Sequence, residues 1–111
     1  TNNWSPSKSL EADKRYTEKS VPLLSARAAR AFHEYIPIRA TPQEAARVYR
    51  KVAYGPLLDM FFLDMRTYRG PNATDGLQRE EGAETVFLGR EQLDCLKREL
   101  MASRATWKVI A

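Results

Sequence analysis

The chain has 111 residues and a mass of 12.7 kDa, with 43% apolar and 29% charged residues. This globular composition excludes a disordered tail, a collagen-like rod and a disulfide-stapled miniprotein. The formal net charge is +4, but basic and acidic residues alternate along the chain, so we predict no specific nucleic-acid partner. Asp59 and Asp64 interrupt the longest apolar run, which is therefore too short for a membrane span of about 20 residues.

The first half of the chain is predicted to be an irregular arm followed by a helix. Residues 1–20 are polar and contain a Ser-Pro-Ser breaker. From Pro22 onward, apolar residues recur at helical spacing, with Ser20 as the expected N-cap and Pro37 as the expected end. The predicted apolar stripe comprises Leu24, Ala28, Ala31, Phe32 and Tyr35.

The middle of the chain predicts a β-hairpin. Thr41 opens a capping box with Pro at the first helical position, which favours a short helix over residues 44–46. Residues 47–54 are rich in Val and Tyr and predict a strand. A Gly-Pro turn then leads to residues 57–65, whose nearly continuous apolar run predicts a strand buried on both faces.

The last third of the chain predicts a βαβ unit. Residues 66–87 form a long loop, which in compact domains is usually functional or mobile. A helix is expected after Gly89, with Leu93, Leu96 and Leu100 on its apolar stripe, and residues 106–111 predict a final strand. Since a helix separates them, strands 57–65 and 106–111 should be parallel neighbours in an α/β fold.

Two reactive side chains are interpreted as structural. The chain has one histidine, His33, whereas a zinc site needs three or four ligands. Cys95 lies beside the Leu93–Leu96 seam with no base nearby in sequence, which favours a packing thiol over a nucleophile.

Two aspartates on the predicted central strand are candidates for a functional site. Asp59 and Asp64 should point to opposite faces of their strand and cannot share one metal ion. Asp64 ends the predicted central strand, where open α/β sheets place their sites. Followed by Arg66 and Tyr68, it either orients a loop or contacts a phosphate. Alternatively, it simply accepts hydrogen bonds from the backbone of residues 66–70.

For two further sets of side chains, the sequence does not decide between a ligand-binding role and an ordinary surface role. Arg66 and Arg69 either bind an anion or are ordinary loop cations. Asn2 and Asn3 carry carboxamide oxygens, which are competent metal or phosphate ligands. Spacing alone yields no complete active site.

Five stretches of the chain, taken in order, resemble motifs of one enzyme family. They are residues 1–4, residues 31–39 (AFHEYIPIR), residues 48–69 ending in FLDMRTYR, residues 87–93 (FLGREQL) and residues 103–109 (SRATWKV). Together they resemble the PhoD-like alkaline phosphatases of the metallophosphoesterase superfamily. Cys95 departs from the pattern, because the family often has a tryptophan there.

The resemblance implies a fragment of a metallophosphoesterase-type α/β sandwich, here with a β-hairpin, a βαβ unit and one additional long helix. It also implies a parent enzyme, outside the cytoplasm, that hydrolyses phosphate esters at a centre of two metal ions such as Ca, Fe, Mn or Zn. The metal ligands are expected to lie before Thr1 and after Ala111. We therefore expect residues 1–111 to be a partial catalytic domain that binds no metal and is inactive alone.

Two other hypotheses remain open at this point. One is a small basic binding module that holds an acidic partner without enzymatic activity. The other is a module that self-associates through open sheet edges. In the phosphatase hypothesis, the site-adjacent candidates are Asn2, Asn3, Asp64, Arg66 and Tyr68.

Overall fold

The computed structural model describes residues 1–39, 41–44, 47–72 and 77–111. Its helices are α1 (Val21–Tyr35) and α2 (Arg90–Ala102), and its strands are β1 (Arg50–Tyr54), β2 (Leu58–Phe62) and β3 (Trp107–Ile110). Single 3₁₀ turns occupy Pro42–Glu44 and Ala83–Thr85. The predicted turn of helix at 44–46 therefore begins earlier, and residues 45 and 46 lie outside the described part of the chain.

The three strands form one sheet in the order β1-β2-β3. β1 and β2 are antiparallel, with Val52 opposite Met60, and β2 and β3 are parallel, with Met60 opposite Val109. The predicted hairpin and βαβ unit are thus confirmed. The strands are shorter than predicted, because the β1–β2 ladder begins with the pair Arg50 and Phe62. Just beyond β2, the Leu63 amide still donates to the Ala111 carbonyl at 2.8 Å.

Helix α1 begins as predicted but buries a different face. The Ser20 hydroxyl accepts the Leu23 amide at 3.3 Å, and Val21 is buried. Tyr35, however, is 84% exposed, and Ala28 and Ala31 are also exposed. The predicted stripe is wrong at these positions, because alanines occupy several faces of this helix and leave its apolar direction poorly defined in the sequence.

The arm contributes to the core without forming a helix or strand within residues 1–20. Leu10 is almost fully buried, and Ser5 is buried as well. The Lys19 ammonium donates to the carbonyls of Leu10 at 3.2 Å and Asp13 at 2.6 Å, which holds the arm's turns together.

Helix α2 packs on the sheet through a face shifted by one residue from the prediction. Leu93 is 37% exposed, whereas Gln92 beside it is 1% exposed. Gly89 adopts φ of +77° before the helix, and a Cβ there would lie 2.8 Å from the Cβ of Tyr68. Glycine is thus required both by the backbone angle and by the close approach of the loop.

The two faces of the sheet differ in cover. On the face toward α2, which we call the covered face, Asp59 and Phe61 are buried. The opposite face, which we call the bare face, carries seven apolar side chains, and several of those on β1 and β3 are largely exposed. The β2 side chains on this face are only half-buried, so the prediction that β2 is buried on both faces is wrong. The bare face comprises Val52, Tyr54, Leu58, Met60, Phe62, Trp107 and Val109.

The chain exposes more surface than its mass requires. Its accessible area is 8666 Å², whereas a compact monomer of this mass exposes about 6,200 Å². Its radius of gyration is 16.5 Å, against about 13 Å for a compact chain of this length. The bare face accounts for part of this excess.

Candidate functional site

A groove of about 680 Å³ lies between the arm, α1 and the segment that follows β2. Its lining is mainly apolar, and its polar side includes Asp64, Arg66 and Thr67. The apolar lining includes Trp4, Val21, Leu24, Phe32, Val48 and Leu63. The strand end that the sequence singled out therefore lies on a concave surface.

Asp64 closes the turn of residues 64–67, which we call the Asp64 turn. Its Oδ1 accepts the amides of Arg66 at 3.0 Å and Thr67 at 2.8 Å, and its Oδ2 accepts the Thr67 hydroxyl at 2.5 Å. The interpretation in which Asp64 accepts loop backbone hydrogen bonds is thereby confirmed. Since both carboxylate oxygens are engaged, Asp64 acts here as an organiser of the turn.

Gln92 holds the same turn from the other side. Its Oε1 accepts the Asp64 amide at 2.7 Å, and its Nε2 donates to the carbonyls of Asp64 at 3.1 Å and Leu88 at 2.6 Å. A buried carboxamide must be hydrogen-bonded to avoid a desolvation penalty, and this one is bonded at both ends. The end of β2 is thus tied to the first turn of α2.

The two loop arginines, which the sequence offered together as possible ligands of an anion, differ in the structure. Arg69 donates to the Gly70 carbonyl at 3.3 Å and to Asn72 Oδ1, and its guanidinium lies 5.8 Å from the centre of the Phe87 ring. The exposed Arg66 lines the groove, and its guanidinium has no hydrogen bond or ion pair with residues that the structure describes. Of the two loop arginines, Arg66 is therefore the one available to an anionic ligand in the groove.

The remaining site candidates lie away from the groove wall. Tyr68 is half-buried and packs edge-on against Tyr49, with ring centres 5.5 Å apart. Burial raises the pKa of the Tyr68 phenol, and Tyr49 and Asp64 raise it further, so it stays protonated. Asn2 and Asn3 are exposed and bonded to each other, with the Asn3 amide donating to Asn2 Oδ1 at 3.0 Å.

Asp59 belongs to a separate polar cluster on the covered face. Its Oδ2 accepts the Ser103 hydroxyl at 2.5 Å and pairs with the Lys51 ammonium at 2.9 Å. These two donors, Ser103 first, hold the pKa of Asp59 below its usual range. Asp59 and Asp64 therefore have different hydrogen-bond partners.

The described residues do not fit a metal centre. Among them, no group of three or more His, Cys, Asp or Glu side chains could hold an ion. The ring nitrogens of the half-buried His33 have no hydrogen-bond partner in that part of the chain. Cys95 is half-buried and accepts a hydrogen bond from Arg98 at 3.4 Å.

Sequence reasoning missed Gln92, Lys51 and Ser103. A signal for Gln92 was present, because it lies four residues before Leu96 and so shares that residue's helix face. Lys51 and Ser103 gave no comparable signal, since their partner Asp59 is brought to them by the fold from 8 and 44 residues away.

No helix among the described residues combines the length and apolar content that a membrane span requires.

Comparisons with known proteins now identify the family. A profile of the PhoD-like phosphatase family matches residues 1–111. Alkaline phosphatase D of Bacillus subtilis (strain 168) is 31% identical over 97 residues, which cover 80% of this chain and 17% of that protein. A solved structure of PhoD superposes on 98% of this chain and 22% of its own, with a TM-score of 0.67 and 27% identity. The chain thus spans about a fifth of the length of these relatives, and it belongs to the PhoD-like phosphatase family.

Proposed function

We propose that these 111 residues form part of a catalytic domain that hydrolyses phosphate esters, and that Arg66 contacts the phosphate. Membership of a phosphatase family supports the reaction class, as does the similarity to alkaline phosphatase D. The observation that carries the role of this segment is Arg66, a groove-lining arginine on the Asp64 turn whose guanidinium has no partner among the described residues.

The guanidinium suits this role because of its shape and charge. Its planar fork of donors matches two oxygens of a phosphate, and it remains charged at any working pH. A cation fixed beside the phosphate also stabilises the negative charge that develops as the ester bond breaks. Asp64 contributes by holding the backbone from which Arg66 projects. Asn2 and Asn3, next in sequence to residues of the arm that line the groove, are proposed as site-adjacent residues.

The metal ions implied by the family belong to other parts of the enzyme in this proposal. We expect two ions such as Ca, Fe, Mn or Zn in the whole hydrolase, held by ligands outside these 111 residues. The described residues offer no such ligand set, so the chain alone should be inactive. By the same resemblance, we place the whole enzyme outside the cytoplasm.

The surface of the chain supports its place in a larger domain. It exposes 8666 Å², about 2,400 Å² more than a compact monomer of the same mass. A stable dimer typically buries about 800 Å² per partner, so the excess exceeds what one such contact covers. We propose that the bare face is covered by other parts of the hydrolase, and that the isolated chain self-associates through it.

Hydrolysis by a chimera tests the proposed function. In this chimera, the 111-residue chain replaces the matched stretch of Bacillus subtilis alkaline phosphatase D. We expect the chimera to hydrolyse p-nitrophenyl phosphate or its bis-ester, and the 111-residue chain alone, supplied with the same metal ions, to show no turnover. A chimera that melts cooperatively but hydrolyses neither ester would contradict the proposal, as would turnover by the isolated chain.

A further inference from the structure

We infer that Gln92 is a positioning residue that holds the Asp64 turn, and through it Arg66, in the geometry that binds phosphate. The inference rests on the proposed phosphate contact of Arg66 and assigns the support of that contact to a residue on a different element. Gln92 lies on α2, 28 residues from Asp64 along the chain.

The first argument is where the Gln92 side chain lies relative to the sheet. The β1–β2 register pairs Arg50 with Phe62, so Val48 would stand opposite Asp64 if β1 continued. β1 instead starts at Arg50, which would leave the Asp64 backbone groups unpaired. The Gln92 carboxamide accepts from the Asp64 amide and donates to its carbonyl, as a neighbouring strand would.

The second argument is the number of bonds that converge on the turn. Gln92 is 1% exposed, so its three hydrogen bonds are made without competition from water. Its bonds fix the backbone of Asp64, and the Asp64 carboxylate then fixes the amides of Arg66 and Thr67. Arg66 therefore projects from a backbone held from both sides, although its own side chain is exposed.

The third argument is that preorganisation matters most for a long, flexible side chain. An arginine in a mobile turn loses backbone as well as side-chain freedom when it binds an anion, whereas a fixed turn has already lost the former. Gln92 thus affects binding by Arg66 without touching the ligand.

The test compares matched substitutions on α2 of the 111-residue chain. Gln92→Met keeps the volume but removes all three hydrogen bonds, and Gln92→Glu keeps an acceptor for the Asp64 amide but loses the donors. Lys97→Met, at an exposed position of the same helix, is the control. The readouts are amide hydrogen exchange at Asp64, Arg66 and Thr67, and the shift of the Arg66 Nε–H resonance during titration with inorganic phosphate.

We expect Gln92→Met to speed exchange at the three amides and to raise the phosphate concentration for half-saturation by about tenfold. Gln92→Glu should act in the same direction, because it sets a buried carboxylate oxygen against the Asp64 and Leu88 carbonyls. Lys97→Met should match the parent chain. Protection of the Leu63 amide, which bonds to Ala111, shows whether the sheet persists; if Gln92→Met loses it, Gln92→Glu decides.

Two outcomes would overturn the inference and are distinguishable. If the Arg66 response to phosphate is unchanged in Gln92→Met, whether or not the turn loosens, Gln92 has no positioning role and the phosphate contact stands. If Arg66 of the parent chain does not respond to phosphate, the proposed contact itself fails and the role of Gln92 fails with it.

Discussion

The two faces of the three-stranded sheet belong to the same strands but differ in what covers them. On the covered face, Phe61 packs under α2, and Asp59 is bonded to Lys51 and Ser103. On the bare face, Tyr54 and Trp107 are 74% and 67% exposed. Exposed apolar patches of this kind usually mark a contact surface. The comparison shows that α2 covers one side of the sheet, while apolar side chains on the other side stay exposed in this chain.

The polar groups around the Asp64 turn also differ in burial and hydrogen bonding. Gln92 and Asp64 are buried, and their side-chain polar atoms are hydrogen-bonded. Arg66 lines the groove, and its guanidinium has no partner among the described residues. The hydrogen-bonded turn thus holds the backbone of an exposed arginine, and the proposed phosphate contact depends on that arginine.

The largest expected effect is a difference in the free energy of unfolding between substitutions on the two faces. Phe61→Ala should lower the free energy of unfolding by about 3–5 kcal/mol, because it leaves a cavity beneath α2. Val109→Ala, on the bare face, should cost about 0.5 kcal/mol or less, because the side chain already meets solvent. Urea denaturation of the two variants measures both values, and equal costs would contradict the assignment of covered and bare faces.

A smaller effect concerns association rather than stability. Val109→Lys places a charge on the bare face at the edge strand β3, where charges discourage strand pairing. Sedimentation velocity at micromolar concentration should show the parent chain associating and the variant shifted toward monomer, with its circular dichroism unchanged. Arg104→Gln, at an exposed position outside the sheet, is the control. A parent chain that sediments as a clean monomer would contradict self-association.

Local patterns in the sequence predicted most of the fold. The Ser20 cap, the Gly-Pro turn and the long apolar run of β2 each depend on neighbouring residues, and the hairpin and parallel pairing followed from them. The buried faces of the helices were harder to predict. On α1 the alanines mark no single direction, and on α2 the buried position beside Leu93 is held by a glutamine whose partners are distant in sequence.

The candidate site was predictable only in part. The position of Asp64 at a strand end pointed to the turn, and its bonds to the loop backbone were one of two stated interpretations. The difference between Arg66 and Arg69 was not readable, because it depends on where Asn72 and the Phe87 ring come to lie.

The role of Arg66 in hydrolysis is tested most directly by kcat/KM of the chimera with alkaline phosphatase D. Arg66→Ala should reduce it by about 10²-fold, the effect of removing one group that stabilises transition-state charge. Arg69→Ala removes a neighbouring arginine whose contacts lie within the loop, and it should leave kcat/KM nearly unchanged. Equal losses in the two variants, or full activity of Arg66→Ala, would contradict the account.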